Sequence, residues 1–234
     1  MSQEGYIRPQ KILLKITQKL RVTESIIKLR LEGDNTISFI PGQFMTIFVD
    51  KYTRRSYSIS SVSGLDYVET YNDITPGGPG SQYFIKAEVG DTIEVMLPLG
   101  KFVYKAKPSP AVFIATGTGI TPFLSMLETA LGINRSPNQI DLVWGCRFEK
   151  DFFVKEQLED YARTFLNFKY SLCVSREQVV NMYKGRVTGL ISETEYNPEC
   201  SFYICGGQEM IRDVENILSR KGFSKSRIYY ERFY

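Results

Sequence analysis

Between Tyr104 and Pro110 the sequence changes its rhythm, and that change constrains the fold more than any single residue. From about Gln10 to Phe102, short apolar or alternating runs are broken by Gly, Pro, Asn and Asp, as in Ile26-Ile27-Lys28-Leu29-Arg30-Leu31 and Thr92-Ile93-Glu94-Val95-Met96-Leu97. About six strands at that spacing, with little helical periodicity, predict an antiparallel β-barrel. After Pro110 the pattern becomes strand, loop, helix. Apolar runs at 111–115, 140–144, 169–174 and 202–205 alternate with Pro122–Leu131, Phe152–Ala162 and Met210–Lys221, where apolar positions recur at helical spacing. With a last strand at Ile228–Tyr230, this predicts an α/β nucleotide-binding domain on a five-stranded parallel sheet, with helices on both faces. The two prolines and two lysines of Tyr104-Lys105-Ala106-Lys107-Pro108-Ser109-Pro110 read as a linker. The expected domains are therefore residues 1–106 and 107–234 of the 234-residue chain.

Composition removes several classes of function. The 29 basic and 26 acidic residues nearly balance, so no basic stripe for nucleic acid is expected. No apolar run is long enough to span a membrane, and Met1-Ser2-Gln3-Glu4-Gly5 lacks the pattern of a signal peptide, so a cytoplasmic monomer is the expectation. The chain has no histidine, which excludes imidazole bases, Ser-His-Asp triads and His-ligated zinc within it. Cys146, Cys173, Cys200 and Cys205 lack the tight spacing of an iron-sulfur ligand set, so no metal centre is expected.

Arg55-Ser56-Tyr57-Ser58-Ile59-Ser60-Ser61 brings a guanidinium, an aromatic ring and small hydroxyls together. On a strand, Arg55 and Tyr57 share one side, where they can address a phosphate and a flat ring together. Downstream, Pro76-Gly77-Gly78-Pro79-Gly80-Ser81 is a glycine-rich turn whose backbone N–H groups can converge on an anion. In the second half, Thr116-Gly117-Thr118-Gly119-Ile120-Thr121-Pro122 reads as a strand end, a glycine turn and a helix start. Thr121 is the expected N-cap and Pro122 the first helical residue. Such a turn at the carboxyl edge of a parallel sheet is an anion site. Ser175-Arg176-Glu177-Gln178 follows another parallel strand, and Met182-Tyr183-Lys184-Gly185-Arg186 comes soon after. Guanidinium and hydroxyl groups there suit a phosphate dianion, and Tyr183 suits an adenine ring. Gly206 and Gly207, after Cys205, permit close backbone approach to a flat ligand.

In this order, and ahead of Tyr230-Glu231-Arg232-Phe233-Tyr234, these motifs resemble the ferredoxin-NADP reductase family of flavoenzymes. The resemblance runs from about Gly42 to the last residue. It implies that Arg55 pairs with the FAD pyrophosphate, that Tyr57 stacks on the flavin, that Ser58 sits by its N5, and that Ser61 completes the R-x-Y-S-x-x-S pattern. It places Gly78, Gly80 and Ser81 next to the same pyrophosphate. It brings the NAD(P) pyrophosphate to Thr116, Gly117, Thr118, Gly119, Thr121 and Pro122, and the 2'-phosphate of NADPH, with NADH as the alternative, to Ser175, Arg176 and Arg186. Arg147, in Gly145-Cys146-Arg147, resembles a further nucleotide loop. Cys205 corresponds to a thiol beside the nicotinamide, Glu231 to an assisting carboxylate, and either Phe233 or Tyr234 to a ring that covers the flavin. Relatives often carry a basic residue on the strand around Val68–Asp73. None is present here, so Tyr71 is a possible stacking partner for the adenosine half.

The activity implied is transfer of hydride from NADPH to FAD, with Ser58 and Glu231 tuning or relaying the proton, and then of single electrons to a ferredoxin, a flavodoxin or an oxygenase component. Two alternatives share the scaffold: an NAD(P)H:flavin reductase with free flavin as substrate, and a non-catalytic FAD-holding subunit.

Overall fold

The computed structural model describes residues 7–105 and 108–232. By internal contacts the chain forms two units, one running to Val103 with Thr121–Thr129 added, the other containing Tyr104–Ile120 and the remainder from Ala130.

The first unit is an antiparallel sheet of β1 (Gln10–Arg21), β2 (Ile26–Ile37), β3 (Phe44–Phe48), β4 (Arg54–Ser58), β5 (Leu65–Asp73) and β6 (Thr92–Leu99), in the order β4-β3-β6-β1-β2-β5. Alternation sets the faces. Ile27, Leu29 and Leu31 of β2 enter the core while Lys28 and Arg30 point outward. The chain just after β4 is tied to β5, because Ser60 N donates to Glu69 O (2.8 Å) and Glu69 N donates to Ser61 Oγ (3.1 Å). A helix that the apolar pattern does not announce, α1 (Pro79–Lys86), lies between β5 and β6 and places Phe84 in the core.

The second unit is a parallel sheet of β7 (Ala111–Thr116), β8 (Ile140–Cys146), β9 (Phe168–Val174), β10 (Tyr183–Lys184), β11 (Ser201–Gly206) and β12 (Ile228–Arg232). The order is β10-β9-β8-β7-β11-β12, so the five expected strands are joined by a two-residue sixth. Helices α4 (Val187–Glu193) and α5 (Gln208–Arg220) cover one face with Val187, Ile191, Ile211, Val214 and Leu218. On the other face, α3 (Lys155–Thr164) sets Tyr161 edge-on to Phe168 at 6.0 Å. The central strand β11 is buried along its length, as coverage of both faces requires.

The chain passes from β7 through a 3-10 turn, Gly117–Ile120, into α2 (Thr121–Leu127), which ends in a π-helical stretch, Glu128–Ile133. Helical structure thus begins at Gly117. Thr121 is a buried helical residue rather than the expected N-cap, and Pro122 follows it inside the helix.

Helix α2 groups with the barrel, where Phe123 meets Phe102 edge-on at 5.7 Å. Its Met126 rests on the turn Ile40-Pro41-Gly42-Gln43, which is closed by Gln43 N donating to Ile40 O (3.0 Å), with Gly42 at φ +101°. Proline followed by a positive-φ glycine is the type II signature. A Cβ on Gly42 would lie 2.2 Å from Met126 Cε and 2.3 Å from the Phe102 carbonyl oxygen. Gly42→Ala is expected to cost about 2–3 kcal/mol, through clash and backbone strain together, as read from urea unfolding.

Candidate functional site

β4 pairs with β3 so that Arg55 opposes Ile47, Tyr57 opposes Met45 and Ser58 opposes Phe44. The Tyr57 ring meets Phe84 of α1 edge-on at 4.8 Å, and burial, only partly offset by Arg55, pushes its phenol up to about 12. Gly80 of α1 sits directly on this pair. A Cβ there would lie 2.3 Å from Tyr57 Oη and 3.3 Å from Arg55 Cγ. Only hydrogen fits, so the helix N-terminus is pressed against the arginine and tyrosine side chains.

Helix α1 starts from Gly78 with Pro79 next, has no side-chain cap and carries no acidic residue in its first turn. Its leading N–H groups and the positive end of its dipole are therefore left for an anion. Space around Gly77 and Gly78 is open, whereas Ser81 is buried. Arg55 is exposed and donates from Nη1 to the Arg54 carbonyl (2.8 Å).

The serines are internal rather than an exposed edge: Ser58, Ser60 and Ser61 are 3%, 9% and 8% exposed. Ser61 Oγ is used by Glu69 N, while buried Ser60 Oγ has no protein partner. The cations missing from β5 arrive from β2. Lys28 and Arg30 reach Glu69 at 2.9 Å and 2.8 Å, and Lys28 lies 5.6 Å from the Tyr71 ring centre.

In the second unit the glycine turn is fitted to its neighbours with equal closeness. A Cβ on Gly119 would lie 2.2 Å from the Cys205 carbonyl oxygen, and one on Gly206, at φ +154°, would lie 2.3 Å from Thr116 Oγ1. Trp144 Nε1 donates to Gly117 O (2.9 Å), which pins the turn from β8. Gly117, at φ +52°, and Gly207, the residue that opens α5, both border open space. The Cys205 thiol is fully buried, and burial first, then the register-paired Glu231, push its pKa well up. It stands there as a compact neutral group rather than a thiolate.

Beyond the strand ends, Ser175 N donates to Cys146 O (3.2 Å) and Arg176 N to Arg147 O (3.0 Å). The two loops are thereby zipped together, with Arg147 and Arg176 both exposed beside one another in the chain ladder. Ser175 Oγ turns back to Cys146 O at 3.4 Å, and Glu149 N donates to the Glu177 carboxylate. The Tyr183 hydroxyl donates to Glu193 (2.7 Å). The Tyr183 ring is wedged against Gly185 and Gly189, while Arg186 is exposed at the start of α4. Phe233 and Tyr234 lie outside the described residues.

Two family models match the chain. One described as an oxidoreductase FAD-binding domain matches residues 13–104, and one described as an oxidoreductase NAD-binding domain matches residues 113–216. The anthranilate 1,2-dioxygenase electron transfer component of Acinetobacter baylyi is 30% identical over 235 residues, covering 95% of this chain and 67% of that protein. The chain belongs to the ferredoxin-NADP reductase family. Another member, the toluate 1,2-dioxygenase electron transfer component of Pseudomonas putida, is 30% identical over 93% of this chain and 66% of its own length. The chain thus spans about two thirds of such relatives. A ferredoxin NADP+ reductase from Neisseria gonorrhoeae, solved with FAD and NADP, has a TM-score of 0.86 at 24% identity, over 96% of this chain and 99% of that one. At that identity the likeness carries the fold.

Both cofactor classes of the family fit the residues present. The Gly80 contact, the uncapped α1 terminus and the unpartnered Ser60 hydroxyl suit a flavin dinucleotide. The Gly119 and Gly206 contacts, with open space at Gly117 and Gly207, suit a nicotinamide dinucleotide. Ser60 went unassigned in the sequence, although it lies inside the R-x-Y-S-x-x-S run. Its burial, not its spacing, singles it out.

The Gly80 contact yields a double-mutant test. Gly80→Ala is expected to weaken FAD binding at least about tenfold, and adding Tyr57→Phe, which removes the atom the new methyl meets, should recover part of the loss in FAD titrations. The thiols yield another. All four cysteines are free, and three are buried with Cys146 also pushed up by burial. Native protein at pH 8 is therefore expected to react only slowly with a thiol-specific reagent, and denatured protein to release all four.

Proposed function

We propose that this chain is an FAD-dependent oxidoreductase that takes reducing equivalents from NADPH and passes single electrons to a ferredoxin, a flavodoxin or an oxygenase component. The observation that carries the reading is that one chain holds two dinucleotide cradles, each closed by a glycine for which no side chain can substitute: Gly80 on Tyr57 and Arg55, and Gly119 on the Cys205 carbonyl. Similarity to electron transfer components of dioxygenases supports the choice of acceptor class.

The chemistry bound FAD supplies is conversion of a two-electron donor into a one-electron donor. In this reading residues 1–106 hold it and residues 107–234 hold the nucleotide. Arg55 and the α1 N–H groups meet the flavin pyrophosphate, Tyr57 packs on the ring, and Ser58 and Ser60 present hydroxyls inside the cradle. Ser61 serves the same site indirectly, by fastening the motif to Glu69. In the second unit, Thr116–Gly119 meet the nucleotide pyrophosphate. Cys205, Gly206 and Gly207 shape the wall against which the nicotinamide lies, and Glu231 supports that wall through its pairing with Cys205. Arg176 and Arg186 select the 2'-phosphate, since each is an exposed guanidinium at the carboxyl edge of the sheet. Arg147, held next to Arg176 by the backbone bond between them, adds to that charge.

Among the described residues no helix is long and apolar enough to cross a membrane. The unpaired cysteines suit a reducing compartment, and we place the reaction in the cytoplasm, carried out by a monomer.

An anaerobic visible spectrum tests the reading. Purified protein is expected to show a flavin band that NADPH bleaches faster than NADH, and Arg176→Ala is expected to cut that preference about tenfold. Protein that purifies without flavin yet reduces added free flavin would sink the held-cofactor reading, and a bound flavin that neither nucleotide bleaches would sink the enzymatic one.

A further inference from the structure

Helix α1 is eight residues long, and a helix of about 12 Å is marginal unless its ends are held. Its N-terminus has no side-chain cap and its first turn no carboxylate, so nothing within the helix stabilises the end that faces the cradle. Phe84 anchors the middle, with its ring 4.8 Å from that of Tyr57. The other end is held from far away in sequence. Lys19, on interior strand β1, donates from Nζ to the carbonyl oxygens of Ile85 (2.9 Å) and Ala87 (2.7 Å). Ile85 is in the last turn and Ala87 is the C-cap residue. A single ammonium thus satisfies two of the carbonyls that a helix end leaves open, and puts positive charge at the negative end of the dipole.

We propose that Lys19 is a positioning residue for the flavin: it clamps α1 from its C-terminus so that Gly78–Ser81 keep the close seat on Tyr57 and Arg55. The inference rests on the reading that FAD is met by the N-terminus of α1. Because Gly80 approaches the Tyr57 hydroxyl too closely for even a methyl group to intervene, a small tilt of the helix breaks that seat. Phe84 resists withdrawal of α1 from the core, whereas the Lys19 bonds restrain its end. Lys19 lies on a strand that carries none of the flavin motif, and both bonds of its ammonium run to the end of the helix.

Full-length apoprotein titrated with FAD, and separately with NADP+, tests the proposal. Lys19→Met keeps the aliphatic stem and removes charge and donors, and its FAD dissociation constant is expected to rise about tenfold. Lys19→Arg, which can donate to the same carbonyls, is expected to stay within about twofold of wild type, and NADP+ affinity to be unchanged in both. A purely structural role would lower both affinities together through loss of folded protein. If Lys19→Met binds FAD like wild type while Arg55→Ala loses it, the clamp is overturned and the cradle survives. If Arg55→Ala also binds like wild type, the cradle reading falls and takes the clamp with it. Should Lys19→Met fail to fold, Lys19→Gln, which retains an amide donor, decides: weaker FAD binding at normal NADP+ affinity supports the clamp, and wild-type FAD binding overturns it.

Discussion

The nucleotide-binding half depends on a reversal of strand order. From β7 the chain moves outward through β8, β9 and β10, then returns to the opposite side of β7 for β11 and β12. The connections leaving the carboxyl ends of β7 and β11 therefore diverge, and a crevice opens where they part. The residues that line it are consequences of that one topological fact. Gly119 can rest on the Cys205 carbonyl only because β7 and β11 are neighbours, and Gly206 meets Thr116 for the same reason. Cys205 is buried because it ends a central strand, and its thiol is kept neutral by that burial. The chemical character of the site thus follows from sheet topology before any ligand is considered.

The barrel has no such shared ligand edge, because antiparallel neighbours end in opposite directions. Its cradle is made instead by inserting a short helix between β5 and β6 and pressing that helix onto β4. Glu69 is the junction that makes this durable. Its backbone holds Ser60 and Ser61, and its carboxylate holds Lys28 and Arg30. One acidic residue therefore joins the flavin motif, β5 and β2. A buried hydroxyl without a partner, such as that of Ser60, costs about 1–3 kcal/mol. A polar ligand that bonds to it removes that cost in the folded state alone, which couples cofactor retention to stability.

Much of this was legible in sequence because the motifs are local. Arg55, Tyr57 and Ser58 lie along one strand and its end, and Thr116–Gly119 are a strand end and the turn that follows it, so residue type and spacing carried the local structure. Helix α1 was not legible as a helix, since Pro76–Gly80 reads as loop and only Pro79 signals a start. What fixes it is Phe84 in the core and Lys19 from β1, both tertiary. Thr121 failed as a cap for a related reason: the 3-10 turn ahead of it is set by Gly119 packing on a strand more than eighty residues later. The hydroxyl of Tyr183 and the cations around Glu69 were likewise settled by partners outside their own motif. Residues 121–129 group with the barrel although they follow the linker, because contacts rather than chain order make a unit.

The absence of histidine has a mechanistic consequence that the structure sharpens. Tyr57, Cys146 and Cys205 are all displaced toward their neutral forms by burial, so none of them is a proton donor or acceptor poised near neutral pH. Hydride transfer in general needs no protein nucleophile, and the demand it makes on a chain is almost wholly geometric. That demand accounts for the type of residue found at the tightest points. Glycines are used where backbone must approach within contact distance, and the restraints on them, from Trp144 on Gly117 and from Lys19 on α1, come from rigid strands. A site built this way is sensitive to displacement more than to pH, because its working parts are distances rather than ionisations.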